Sequence, residues 1–294
     1  ERPGVELHWA VEEAYVPLVR LHPGVSHIVP VALRRWRRRL LERRTWQEIR
    51  SLRASLAAQP FDAILDTQGL LKSVLVAKMA RGPVHGFGPR TAREPIASRF
   101  YDFRYEFSPA DHKVERYREV AARALGYARD CEPDYGIEAP PRPAFAPSAE
   151  YCVLLHATAR EAKLWSEQAW RELGRWLESR GLACVLPWGS GPEHARSLRI
   201  AEGLAQALVP PRMSIDEAAG LIGHAKAAIG VDTGLMHLAA ALRVPVVGVF
   251  CDSEPLDAKP VGRGPTAFRG GIGKPPRAAE VMEALGEVAP EFAP

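Results

Sequence analysis

Residues 227–238, Ala-Ala-Ile-Gly-Val-Asp-Thr-Gly-Leu-Met-His-Leu, read as a short strand that hands over directly to a helix. The uncharged run 227–231 suits a strand covered on both faces, since a half-exposed strand would alternate apolar and polar residues. Asp232, Thr233 and Gly234 follow at once, and an apolar helical pattern begins behind them. A buried strand feeding straight into a helix is the building unit of a parallel α/β sheet.

Outward from that segment the same unit recurs. In the second half, strands are expected at 151–156, 183–187, 207–209, 227–231 and 246–250, with helical patterns between them. One of these helices is defined by its ends. Ser166 is a natural N-cap, Glu167 suits the positive helix start, and Trp165 and Trp170 hold the two positions of a hydrophobic staple. Trp170, Leu173 and Leu177 share a face, and Gly181 ends the pattern. In the first half, strands are expected at 5–11, 27–31, 61–66, 84–87 and 104–107, and helices at 46–59, 70–80 and 114–125. Residues 133–149 are rich in proline, which removes backbone donors and restricts its neighbours. The reading is therefore an α/β, doubly wound protein. An N-terminal domain covers 1–136, a linker 137–149 and a C-terminal domain 150–294.

The 294 residues exceed most single cores. No apolar run reaches the length of a membrane-spanning helix. Cys131, Cys152, Cys184 and Cys251 form no CxxC pair or zinc-ligand spacing, so they read as reduced and structural. The net charge of +4 is mild, but residues 34–44, RRWRRRLLERR, concentrate seven arginines against one glutamate. Such a cluster attracts polyanions: nucleic acid, an acidic membrane surface or a phosphorylated substrate. It serves equally as a solvated helix face.

Open α/β sheets bind ligands at the carboxyl ends of their strands. At the first exit of the second half, Thr158, Arg160 and Lys163 precede a helix start, an arrangement that holds phosphate or is simply a solvated loop. At the second, Gly189 and Gly191 allow close approach of a ligand. Glu193 beside them offers a carboxylate to a ribose diol, or to its own helix's first turn. At the third, the amides of Thr233 and Gly234 open a helix whose dipole favours a diphosphate, with His237 in the first turn; an ordinary N-cap fits the same residues. Patterns for a dinucleotide-binding GxGxxG, a P-loop, a zincin and a serine-hydrolase elbow do not occur.

Eight segments, in order and nearly spanning the chain, resemble the heptosyltransferase I group of glycosyltransferase family 9. They are VEEAYVPL (11–18), IVPVALRRWRR (28–38), FDAILDTQGLLKS (61–73), HGFGPRTAREPIAS (85–98), VERYREVAARALGY (114–127), LHATAREAKLW (155–165), LPWGSGPEHAR (186–196) and VDTGLMHLAAAL (231–242). The resemblance implies a GT-B architecture, two Rossmann-like domains facing a central cleft, the first incomplete at its N-terminus. It implies an inverting transfer of heptose from ADP-heptose to the Kdo sugar of Kdo2-lipid A, in the inner core of lipopolysaccharide. Rival readings are a later-core heptosyltransferase, a nucleotide-sugar epimerase, or a nucleotide-sugar-binding fragment without catalysis.

By resemblance, the donor contacts fall on Thr158, Lys163, Glu193, Met213, Asp232, Thr233, Gly234 and His237, with Lys163 stabilising the leaving group. The acceptor contacts expected are Arg34, Arg35, Arg37 and Arg93. No metal or cofactor is implied, and no nucleic acid. The enzyme is expected in the cytoplasm, peripheral on the cytoplasmic face of the inner membrane of a Gram-negative cell. The family's second hydroxyl beside Thr158 is replaced here by Ala159, and the aspartate expected as general base falls before Glu1.

Overall fold

The structure is a computed structural model describing residues 4–108, 110–129 and 131–292. In chain order its elements are β1 (His8–Glu12), α1 (Val16–Arg20), β2 (His27–Val31), α2 (Leu33–Arg38), α3 (Arg43–Ala57), β3 (Ile64–Leu65), α4 (Leu71–Ala77), β4 (Val84–Phe87), β5 (Phe103–Tyr105) and α5 (Lys113–Leu125). They continue with β6 (Tyr151–Leu155), α6 (Glu167–Glu178), β7 (Ala183–Val185), α7 (Gly191–Ala201), β8 (Ala207–Leu208), α8 (Ile215–Gly223), β9 (Ala227–Val231), α9 (Gly234–Ala241), β10 (Val246–Phe250), α10 (Pro255–Ala258), β11 (Thr266–Gly270) and α11 (Ala278–Val288). The chain forms two compact units, one of Glu1–Pro30 with Glu132–Pro294, the other of Val31–Cys131.

The larger unit is built on a six-stranded sheet of order β11-β10-β9-β6-β7-β8, parallel throughout. Every residue of β6, β9 and β10 is buried, as their uncharged sequences require. Alternation along β6 divides the core in two. Cys152 and Leu154 face a cluster containing Trp170, Leu173 and Leu177 of α6, Ile200 of α7 and Val281 and Leu285 of α11. Tyr151, Val153 and Leu155 face the other, with Ala219, Leu221 and Ile222 of α8 and Met236, Ala239 and Ala240 of α9. Helices therefore cover both faces. The strands run outward from β6 through β7 to β8, and the chain then returns to place β9 on the other side of β6. This reversal between β6 and β9 is the switch point at whose carboxyl ends such sheets place their ligand crevice.

The smaller unit carries the parallel sheet β3-β4-β5. Tyr101 lies across β4, so close to Gly86 that a Cβ there would stand 2.4 Å from the ring. Its hydroxyl donates to Asp66 at 2.8 Å. Asp66 also accepts from Ser73 Oγ at 2.7 Å and from the amide of Gln68 at 2.8 Å, so the buried carboxylate shapes the turn between β3 and α4. Gly69 in that turn has a φ of 62°, which a glycine adopts without strain.

Beyond shifts of a few residues at element ends and the short helices α1 and α2, two expectations differ from the structure. The compact units do not divide at 137–149. Leu18 and Leu21 of the N-terminal segment and Ile137, Phe145 and Ala146 of the proline-rich stretch all pack on the α8–α9 face of the large sheet. His224 Nε2 lies 3.0 Å from the Pro140 carbonyl, and Arg243 and Arg263 each approach Asp134 to 3.1 Å. Proline keeps the stretch out of regular structure, yet apolar burial and ion pairs hold it to the larger unit. The second difference is β11, for which no strand is expected. It is a partly exposed edge strand ending in Gly270, with neither the burial nor the alternation that marks a strand in sequence.

Candidate active site

Lys163 owes its position to Trp165. That indole is 2% exposed, donates to the Pro276 carbonyl at 2.8 Å and meets Trp170 edge-on with ring centroids 4.9 Å apart. The expected staple is thus formed, and Ser166 caps α6 by accepting the Ala169 amide at 3.2 Å. Arg196 donates to the Trp165 carbonyl and pairs with Glu167 at 3.2 Å, locking the segment from its other side. The short 3-10 turn Glu161–Lys163 leads into this anchor, so Lys163 is presented from a fixed base.

Its ammonium pairs with Asp232 at the exit of β9. Ser253, just beyond β10, donates to the same carboxylate oxygen at 2.8 Å, and Thr158 donates to the Asp232 carbonyl at 2.9 Å. Burial would raise the Asp232 carboxyl. The hydrogen bonds from Lys163 and Ser253, with the charges of Lys163 and His237, outweigh it and hold the pKa below the ordinary carboxylate value. The exits of β6, β9 and β10 thereby bring Thr158, Lys163, Asp232, His237 and Ser253 into one constellation. Ser253 is not among the residues expected from sequence, although it too follows a strand exit.

Thr233 is the N-cap residue of α9 by backbone geometry and makes no side-chain cap bond, so the first-turn amides are not consumed by a capping hydroxyl. A Cβ built on Gly234 would meet nothing within 4 Å, so open space adjoins this helix start. Asp232 does not cap the helix either; its carboxylate is engaged by Lys163 and Ser253.

Glu193 and Met213 lie on the other wing of the sheet. Glu193 is in the first turn of α7 and accepts the Gly189 amide at 2.7 Å, which is its local structural use. Met213, beyond β8, packs partly buried against the α8–α9 face of the core. Along the carboxyl edge the order is therefore Asp232, the Thr158–Lys163 loop, Glu193, Met213, matching the strand order β9-β6-β7-β8.

Directly behind the crevice, His156 is fully buried with Nε2 2.8 Å from Ser197 Oγ. Burial, and then the Arg196 charge, push its pKa down to about 4. The unfolded chain takes up this proton near the ordinary value of about 6.5. Stability is therefore expected to fall as pH drops from about 6.5 towards 4, by about 3 kcal/mol in all. Urea titrations at stepped pH test this, with His156→Gln as reference: the variant should lack this part of the slope, and identical slopes would exclude His156 as its source.

In the smaller unit, Arg34 and Arg37 are exposed on α2 and Arg93 is exposed in the loop before residues Pro95–Phe100. Arg35 is committed to Glu48 at 2.8 Å. The Trp36 indole, at 2.7 Å, is the main cause of Glu48 lying at about 2, with Arg35 adding to it. Glu94 accepts the amide of Leu71 at 2.7 Å, at the start of α4. A surface hollow at the end of α5, lined by Glu119, Arg123, Tyr127 and Arg129, contains none of the expected site residues.

Residues 49–284 match the family described as Glycosyltransferase family 9 (heptosyltransferase). The chain is 41% identical over 256 residues to lipopolysaccharide heptosyltransferase 1 of Escherichia coli K12, covering 86% of this chain and 80% of that one. It is 40% identical over 255 residues to the Pseudomonas aeruginosa protein of the same name, covering 86% and 72%. Its structure is similar to that of E. coli heptosyltransferase WaaC with ADP, at a TM-score of 0.87 and 37% identity over 98% of this chain and 91% of that one. The fold class expected from the sequence, α/β of the GT-B type, agrees with these neighbours.

Proposed function

The chain belongs to glycosyltransferase family 9 and is a glycosyltransferase of its heptosyltransferase branch, and from that premise we propose that it moves heptose from ADP-heptose to the Kdo sugar of Kdo2-lipid A, with inversion at the anomeric carbon. The observation that carries the donor half is the constellation at the reversal between β6 and β9. There the Lys163 ammonium pairs with Asp232 at the exit of β9, and open space adjoins Gly234 at the start of the helix that follows. Similarity to a WaaC structure holding ADP supports the same reading.

The order of the strands supports a single pose. The diphosphate lies against Lys163 and the amides of Thr233 and Gly234, where the helix dipole adds to the ammonium. The ribose reaches Glu193 at the exit of β7, and the adenine reaches Met213 beyond β8. As the glycosidic bond breaks, negative charge builds on the departing diphosphate, and Lys163 with the helix start stabilises it without a metal. Asp232 orients the ammonium and, once the diphosphate takes a share of Lys163, offers an oxygen to heptose hydroxyls. His237, in the first turn of α9, lies beside them. On the acceptor side, Arg34, Arg37 and Arg93 neutralise the carboxylates and phosphates of Kdo2-lipid A, with the planar guanidinium suited to bidentate contacts. Arg35 contributes there only by releasing Glu48. An acceptor embedded in lipid places the enzyme at the cytoplasmic face of the inner membrane. Among the described residues no helix is long and apolar enough to cross a membrane.

Calorimetry with ADP tests the donor half. A single site is expected in the parent chain, weakened in Glu193→Ala and in Lys163→Ala; no binding, or binding indifferent to both changes, overturns the assignment. For the acceptor half, Arg37→Ala and Arg93→Ala are expected to raise the acceptor KM several-fold while ADP affinity stays unchanged. A parallel loss of ADP binding moves these arginines out of the acceptor site.

A further inference from the structure

Away from the donor crevice, Glu6, His8 and His27 bring one carboxylate oxygen and two imidazole nitrogens within 4.8 Å of one another. We propose that these three residues form a binding site for a divalent transition cation of the zinc type, clipping β1 to β2. None of the three takes part in the transfer reaction derived above.

The geometry favours a chelate over a chance cluster. Nε2 of His8 lies 3.1 Å and Nε2 of His27 2.7 Å from the same Oε1 of Glu6, and the two rings stand 4.4 Å apart. Both rings therefore turn the same nitrogen towards one point. Glu6 and His8 are two residues apart in extended chain, so their side chains fall on one side of it. Leu7, between them, is tied to the partner segment three times. Its amide donates to Ser26 Oγ at 3.1 Å, and its carbonyl accepts the amides of Ser26 and His27, each at 3.0 Å. The donors from the two strands are thus pre-positioned by backbone pairing, and a cation need not order them on binding. Side-chain exposures of 58% for Glu6, 17% for His8 and 56% for His27 leave the point open to solvent cations. Two imidazoles and a carboxylate suit zinc, nickel or copper, whereas magnesium and calcium prefer oxygen donors throughout. Three protein ligands leave a fourth, tetrahedral position to water.

The occupant enters as M²⁺. Each imidazole binds through an unprotonated Nε2 and Glu6 through its carboxylate, so any Nε2 proton held in the hydrogen-bonded arrangement leaves to solvent. No electron transfer is involved.

The test uses the untagged chain, titrated with Zn²⁺ by calorimetry and with Co²⁺ by visible absorption. One Zn²⁺ site is expected, with Co²⁺ giving the intense d–d bands of low coordination. Loss of an outer-shell partner already costs about 10–100-fold in affinity, so His27→Ala and Glu6→Gln, each losing a direct ligand, should weaken Zn²⁺ by at least about tenfold. Both positions are exposed enough for the fold to tolerate the change. Cys131 is the exposed thiol and the obvious competitor, so Cys131→Ser should bind as the parent does. Zn²⁺ should also raise the Tm of the parent but not of His27→Ala. The proposal is overturned if no single site is found, if both ligand variants bind like the parent, or if Cys131→Ser alone abolishes binding.

Discussion

Lys163→Ala is expected to slow heptosyl transfer by two or more orders of magnitude. A preorganised donor aimed at charge that develops in the transition state is worth roughly 2.7–4 kcal/mol, and Lys163 is the ammonium that the proposed pose sets against the diphosphate. The loss has a second component. With the lysine gone, the Asp232 carboxylate keeps its bond from Ser253 but faces the diphosphate without its cation. ADP binding should therefore weaken along with the rate. The double variant Lys163→Ala, Asp232→Ala separates the two components: it should bind ADP more tightly than Lys163→Ala alone, because the repulsion has gone while the missing stabilisation has not. Such non-additivity is expected of residues in direct contact. Turnover of Lys163→Ala at the parent rate would remove this lysine from the reaction.

Trp165→Ala should cost the larger unit about 3–5 kcal/mol in chemical denaturation, the range for removing a large aromatic side chain from a packed core. The indole sits against Trp170 and closes the loop that carries Lys163, so ADP affinity should fall in the same variant even under conditions where it remains folded. Trp165→Phe keeps an aromatic ring against Trp170 and leaves the Pro276 carbonyl without its donor, at a cost of about 1–3 kcal/mol. Equal stability of all three proteins would show that the packing read from the structure does not hold the loop.

The parts legible in sequence were those with local causes. The AAIGV run, the Ser166 cap and the Trp165–Trp170 pair each depend on neighbours a few positions away, and all three appear as expected. Lys163 and Asp232 each follow a strand end, which singles them out separately, but their pairing across 69 residues has no local signature. It depends on β6 and β9 lying side by side, which the order of strands along the chain does not state. The same limit hid Ser253. The N-terminal thirty residues read in sequence as part of the domain that follows them, whereas Leu18 and Leu21 pack on the large sheet through contacts that no local pattern announces. For Arg35, the sequence shows a basic cluster without showing that Glu48 of α3 claims one member.

The standing partnership of Lys163 with Asp232 also bears on which anions can compete for the lysine. A free anion in the cell, whether chloride or inorganic phosphate, must displace a rival fastened to the same polypeptide, whose effective concentration is on the order of millimolar or higher. Small ions bring one contact to that contest. In the proposed pose a nucleotide also brings a base and a sugar to neighbouring strands, and so it gains on any ion that engages the lysine alone.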